Sequence, residues 1–152
     1  MEIKNVFNDI DKNHIINRIE QLKPDTKALW GKMSVDQMLA HCNVTYEMVY
    51  ENNHSKLNFF IRFILKAFVK SKVVGESPYS RNSQTAPAFI ITNAKNFGKE
   101  KERLITYINK TYELGADHFE GKESLSFGPL NQKEWNNLFS KHLDHHLNQF
   151  GV

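Results

Sequence analysis

Residues 131–151, NQKEWNNLFSKHLDHHLNQFG, decide how this chain folds. Asn131-x-x-Glu134 opens the segment as a helix cap, an N-cap side chain followed three residues later by a carboxylate. At about 100° per residue, Trp135, Phe139, His142, His146 and Phe150 then share one stripe about 60–80° wide. Gly151 stands just past the last periodic residue, where a helix stops. The segment is therefore an amphipathic helix whose apolar seam is interrupted by two histidines. Burying an imidazole without a partner costs on the order of 1–3 kcal/mol, so two in one seam need an explanation.

Upstream, the remaining helices follow from period and punctuation. The first is expected from about Asp9 or Asp11 to Leu22, with Ile15, Ile16, Ile19 and Leu22 at helical spacing and Pro24 behind it. A turn through Trp30 and Gly31 leads to Ser34-Val35-Asp36-Gln37, a capping-box pattern that starts a second helix ending near Asn52. A third, about Ser55 to Lys72, is rich in Phe59, Phe60, Phe63, Ile64 and Phe68. Residues 73–93, with Gly75, Pro78 and Pro87, read as an extended excursion of the kind that forms lids or wrapped connections. A fourth helix is expected from Ala94 to Leu114, a loop from Gly115 to Leu130, and then the helix quoted above. Ala88–Thr92 is a short extended piece with no strand to pair with. The fold class is all-α, in one domain over residues 1–152.

Composition narrows the function classes. The 152 residues are 40% hydrophobic and 24% charged, with a net charge of +3. That excess is small against the dense basic stripe of a nucleic-acid binder. One cysteine, Cys42, excludes an internal disulfide framework and suits a reducing cytoplasm. The N-terminus has no apolar run behind a basic start, and Leu57–Val69 is too short, and interrupted by Arg62 and Lys66, to span a bilayer. A soluble, cytoplasmic protein is the expectation, with neither nucleic acid nor membrane among its partners.

His142 and His146 are four apart and so one turn apart on one helix face, where they can close on one ion. Two hydrogen-bonded core histidines, or two lining a wet crevice, explain the pair equally well. A third imidazole from another helix would complete three protein ligands and leave a coordination position open, the layout of a reactive centre. His41 on the second helix is available for it; its face carries Met38, Thr45 and Met48, and it is at least partly interior. His145 projects toward the edge of the stripe and is read as a surface residue or outer partner of the site; three residues after His142, it is also an alternative to His146 for pairing with it. Cys42 lies about a quarter turn from His41 and reads as a small buried hydrophobe rather than a nucleophile. Tyr79, Arg81 and Asn82 can reach a substrate's anionic group or be solvated loop residues, and they stay outside the site. His14, His54 and His118 carry no assigned chemistry.

Two stretches together resemble the DinB/YfiT-like superfamily. Trp30-Gly31-Lys32-Met33-Ser34-Val35-Asp36-Gln37-Met38-Leu39-Ala40-His41 is similar to its approach into the second helix. Phe127-Gly128-Pro129-Leu130, Glu134-Trp135 and His142 through Gly151 are similar to its final helix, and the match is best to a branch of unknown function. The resemblance implies a four-helix bundle with a long crossover, often dimeric, plus here a short additional helix or extended loop. It also implies a divalent metal held by His41, His142 and His146. Characterised relatives include transferases and isomerases using low-molecular-weight thiols such as bacillithiol or mycothiol. The loop before Phe127, stretched by Glu120–Ser126, departs from the pattern, as does His118-Phe119 where many relatives have a His-Pro step.

Three neutral imidazoles would leave the ion its full charge, able to lower the pKa of a bound water or thiol. The function expected is a metal-dependent thiol S-transferase or isomerase acting on a small molecule, with zinc or nickel as the metal and a homodimer as the assembly; the catalytic group would be metal-bound water or thiolate. Two other readings remain open. One is a metal-binding or stress-related module without catalysis. The other is an interaction protein using the third helix, whose Arg62, Lys66 and Lys70 form a basic row; that helix is otherwise read as a bundle helix contributing to a homodimer.

Overall fold

The structure is a computed structural model that describes residues 2–152. It is mostly helical: α1 (Asp9–Gln21), α2 (Val35–Tyr50), α3 (Phe59–Phe68), α4 (Lys70–Val74), a 3₁₀ turn (Pro87–Phe89), α5 (Phe97–Phe119), strands β1 (Glu123–Ser124) and β2 (Gly128–Pro129), and α6 (Gln132–Gln149). Helices α1, α2, α5 and α6 pack on one another, and α4 joins them through α6. Their shared core contains Ile15, Ile19, Leu39, Tyr46, Leu104 and Phe139, all essentially inaccessible to water. Among the described residues no helix is long and apolar enough to cross a membrane.

The expected start signals operate. Ser34 and Gln37 close a capping box on α2, and Asn131 with Glu134 closes one on α6. Each box satisfies two of the backbone N–H groups that a helix N-terminus leaves without partners. These two caps fix the phase of the two helices that carry the histidines.

Three elements differ from the sequence expectation. The single third helix is two helices: α3 starts behind Asn58, which accepts from Ile61 N–H, and Val69 ends it and begins α4. The fourth helix starts at Phe97 behind the Asn96 cap and runs past Leu114. Gly115 (φ 75°) kinks it there, and a last turn reaches Phe119. That left-handed conformation is open to glycine at little cost, so Gly115 bends the chain where the sequence reading stopped it. Finally, the loop before α6 contains a two-residue antiparallel ladder, Glu123 with Pro129 and Ser124 with Gly128. In Ala88–Thr92, the segment considered for an extended piece, Ala88 and Phe89 belong to the 3₁₀ turn, and Ile90 is extended without a strand partner among the described residues.

The third helix also faces the other way from a bundle helix. None of its residues is buried, and Phe59, Phe60, Phe63 and Phe68 are 85%, 71%, 61% and 71% exposed. It is held instead by Leu65, which packs on the core, and by ion pairs of Lys56 and Arg62 with Glu123. Immediately after it, Lys141 of α6 is 1% exposed and donates to the carbonyls of Lys72, Val73 and Gly75. A cation on the last carbonyls of a helix satisfies acceptors that have no intrahelical partner. Lys141 thereby pins the beginning of the long connection to α6, beside the histidines.

Candidate metal centre

The packing of α2 on α6 brings His41, His142 and His146 together, each offering a ring nitrogen within 4.8 Å of the others. His41 Nε2 lies 2.9 Å from His142 Nε2, and the His146 ring centroid is 4.5 Å from that of His41 and 4.9 Å from that of His142. Nitrogens around a tetrahedral ion with ~2.0–2.1 Å bonds stand about 3.4 Å apart. The observed spacing brackets that value, so small ring rotations suffice to close the three on one ion. His145 is not part of this cluster; it packs edge-on against His146 and Trp30.

The outer nitrogens identify which lone pairs are free. His41 Nδ1 is 2.8 Å from the Phe89 carbonyl, which can only accept, so Nδ1 carries the proton and Nε2 is bare. His146 Nδ1 is 2.8 Å from Gln149 Oε1, and the Gln149 amide is oriented by its own donation to the Trp30 carbonyl at 2.8 Å. His146 Nε2 is bare by the same logic. His142 Nδ1 meets the Thr45 hydroxyl at 2.9 Å, a group that can donate or accept. With His142 Nε2 protonated, the 2.9 Å contact to His41 is a hydrogen bond; with the proton on Nδ1 and directed at Thr45, two lone pairs face each other and require a cation between them. This is the arrangement of metal-ligating histidines, whose second nitrogen is held by a carbonyl, hydroxyl or amide oxygen. Gly31 makes room for it: a Cβ there would come within 2.5 Å of Gln149 Nε2.

Electrostatics keep the three rings neutral. Burial pushes His146 down to about 3, with the neighbouring His41 adding to the effect against the Gln149 hydrogen bond. Burial also holds His142 well below the ordinary imidazole range, and it lowers His41 despite the opposing Phe89 hydrogen bond. Metals bind neutral imidazole, so no proton has to be removed from these ligands near neutral pH. The Phe89 ring covers His41 and His142 at centroid distances of 5.4 and 5.8 Å, and Tyr79 lies 6.5 Å from His142. The long connection thus lies across the cluster.

Sequence reasoning named the three histidines but none of their outer partners. Thr45 follows His41 by one turn and so shares the face that meets His142, and Gln149 follows His146 by three residues, on the same face as the ring it holds. Those signals were present. The Phe89 carbonyl had none, since a backbone acceptor 48 residues away leaves no mark in side-chain patterns. Cys42 is buried against Met38, and burial pushes its thiol up, as suits a packing residue.

A helical protein with an interhelical three-histidine cluster able to hold a metal ion is the class that fold and site define. The chain belongs to the family described as protein of unknown function DUF1569, whose profile matches residues 5–151. No curated protein and no solved structure matches it.

Proposed function

We propose that this chain is a divalent-metal-dependent enzyme of the DinB/YfiT-like type, with α1, α2, α5 and α6 as its four-helix bundle and residues 75–96 as the crossover. The observation that carries the reading is the convergence of bare imidazole nitrogens from His41 and His146 on His142, each ring held from behind by Phe89, Gln149 or Thr45. Zinc or nickel suits an all-imidazole donor set. When bound, such an ion supplies Lewis acidity that favours the anionic form of a thiol or water. The chain's own contribution is to orient three neutral rings and to shield them from water with Phe89 and Tyr79. The reaction class is thiol S-transfer or isomerisation of a small molecule, with a low-molecular-weight thiol as cosubstrate, in a reducing cytoplasm.

Elemental analysis of untagged protein tests the metal first, beside His41→Ala and His142→Ala. One ion per chain, lost in both variants, is the expected result. A protein that takes up no ion even after reconstitution with zinc or nickel would leave a hydrogen-bonded polar cluster and remove the basis for the chemistry. Steady turnover of an electrophile with added thiol, absent in His142→Ala, then separates the enzyme from a non-catalytic metal-binding or stress-related protein. That second reading is favoured by one observation, the Phe89 and Tyr79 rings lying over the cluster.

We also propose a homodimer formed through α3. Phenylalanines bury about 150–250 Å² each, so four at these exposures offer roughly 600 Å². Leu57, Ile61 and Ile64, each about 40% exposed, extend the patch toward the ~800 Å² per partner of a standard interface.

A further inference from the structure

Beside the histidines, and distinct from them, is a cleft of about 380 Å³ lined by Trp30, Tyr79, Arg81, Lys141, Asp144 and His145 among others. Its volume falls in the range of small-ligand sites. The exposed Arg81 sets its guanidinium carbon over the Trp30 indole, 4.2 Å from the ring centroid. A cation–π contact of this kind holds the guanidinium at the cleft wall while its N–H donors stay available to a ligand. The other charges in the cleft are already paired. Asp144 accepts from Arg18 at 2.7 Å and from Asn148 at 2.9 Å. The Lys141 ammonium donates to three carbonyls at the end of α4 and lies 4.8 Å over the Tyr79 ring. Arg81 is left, among the described residues, without a carboxylate partner: one cation held over an indole in an aromatic cleft.

We propose that this cleft binds the oxyanion group, carboxylate or phosphate, of a small molecule with a flat apolar body. Arg81 takes the oxyanion through paired N–H donors, the geometry in which guanidinium recognises both groups. The body lies along Trp30 and Tyr79. The wall at the far end of the cleft is shared with the histidine cluster. Tyr79 and His145 pack 5.7 Å apart, Tyr79 against His142 and His145 against His146 at 5.0 Å. A ligand anchored on Arg81 is therefore one side chain from the candidate metal centre. That the anion belongs to the substrate of that centre rests on the function proposed above; that the cleft binds an anion does not.

The test uses benzoate and phenyl phosphate as probes, titrated by calorimetry and by Trp30 fluorescence into chelator-treated protein. Removing metal keeps oxyanions from binding to an ion instead of to Arg81. Saturable binding of either probe is expected, tighter than acetate or inorganic phosphate, and the tighter of the two assigns the oxyanion. Arg81→Gln should weaken it by about tenfold or more, the loss of a charge-assisted hydrogen-bond pair, with Arg81→Lys intermediate and both variants as stable as wild type. No saturation by either probe at millimolar concentration, or equal affinity in Arg81→Gln, overturns the assignment. Repeating the titration in His142→Ala distinguishes the two readings. Binding that persists there while metal uptake fails keeps the cleft and removes the metal function; loss of binding only in Arg81→Gln, with metal uptake intact, supports both.

Discussion

Metal-free protein should lose stability steeply as the pH falls from 6.5 toward 5, and His146 should account for much of the loss. In the folded chain its pKa is depressed to about 3, against 6.5 for an unperturbed imidazole. Below 6.5 the unfolded chain therefore binds a proton that the folded chain excludes, and stability drains away until the pH reaches the folded value. At about 1.36 kcal/mol per unit, the deficit from His146 alone is about 2 kcal/mol at pH 5. A small domain has only ~5–15 kcal/mol in all. His142 and His41 are shifted in the same direction and add to it. Urea unfolding of chelator-treated protein near pH 7.5 and pH 5 measures the difference, and His146→Gln, which cannot titrate, should show a shallower dependence. The comparison is of slopes, so a variant that is less stable at both pH values still reports. His142→Gln provides a second series should the first fold poorly. Identical pH slopes in wild type and both variants would refute the view that the rings are buried and neutral.

Three other outcomes follow from the contacts. Gln149→Leu and Thr45→Val remove the groups that hold His146 and His142 from behind, and each should weaken metal binding by about 10–100-fold in chelator competition; unchanged affinity in both would dismiss the outer hydrogen bonds. Tyr46→Phe should raise stability by about 1 kcal/mol, because the Tyr46 hydroxyl is buried without a hydrogen-bond partner and its removal relieves a desolvated group; a loss in urea unfolding would mean that the hydroxyl is satisfied. Phe60→Glu with Phe63→Glu should convert a dimer into a monomer of unchanged unfolding temperature, read by light scattering after gel filtration. A wild-type monomer at the same concentration would reject the α3 interface.

The helices carrying the site were legible because their signals are local. Ser34 with Gln37 and Asn131 with Glu134 announce their helices within four residues, and the period of α6 places two histidines on its buried face. His41, His142 and His146 could be nominated from there, with the resemblance supplying the link between them. Where the reading stopped short, the deciding contact was distant. The α3–α4 segment starts at an Asn58 cap and ends where Lys141 reaches back 66 to 69 residues to the carbonyls of Lys72, Val73 and Gly75. The continuation of α5 through Gly115 depends on Phe119 finding a place between Phe7, Trp135 and Phe139. A glycine that ends many helices is bridged here because the next turn has an aromatic to bury.

The direction of α3 is the sharper case. Phe59, Phe63, Phe60, Ile64 and Phe68 form a continuous apolar stripe about 180° wide at helical spacing, and by pattern alone that stripe faces a core. In the chain it faces out, while the narrower side bearing Leu65 and Arg62 faces in. The amphipathic pattern states that a face will be covered, not by which surface. The four helices α1, α2, α5 and α6 already close a core around Tyr46 and Phe139, and α4 is tied to α6 through the buried Lys141. With that core complete, the aromatic stripe of α3 has no unfilled surface of its own chain to cover, and that is the ground on which a second copy is proposed for it.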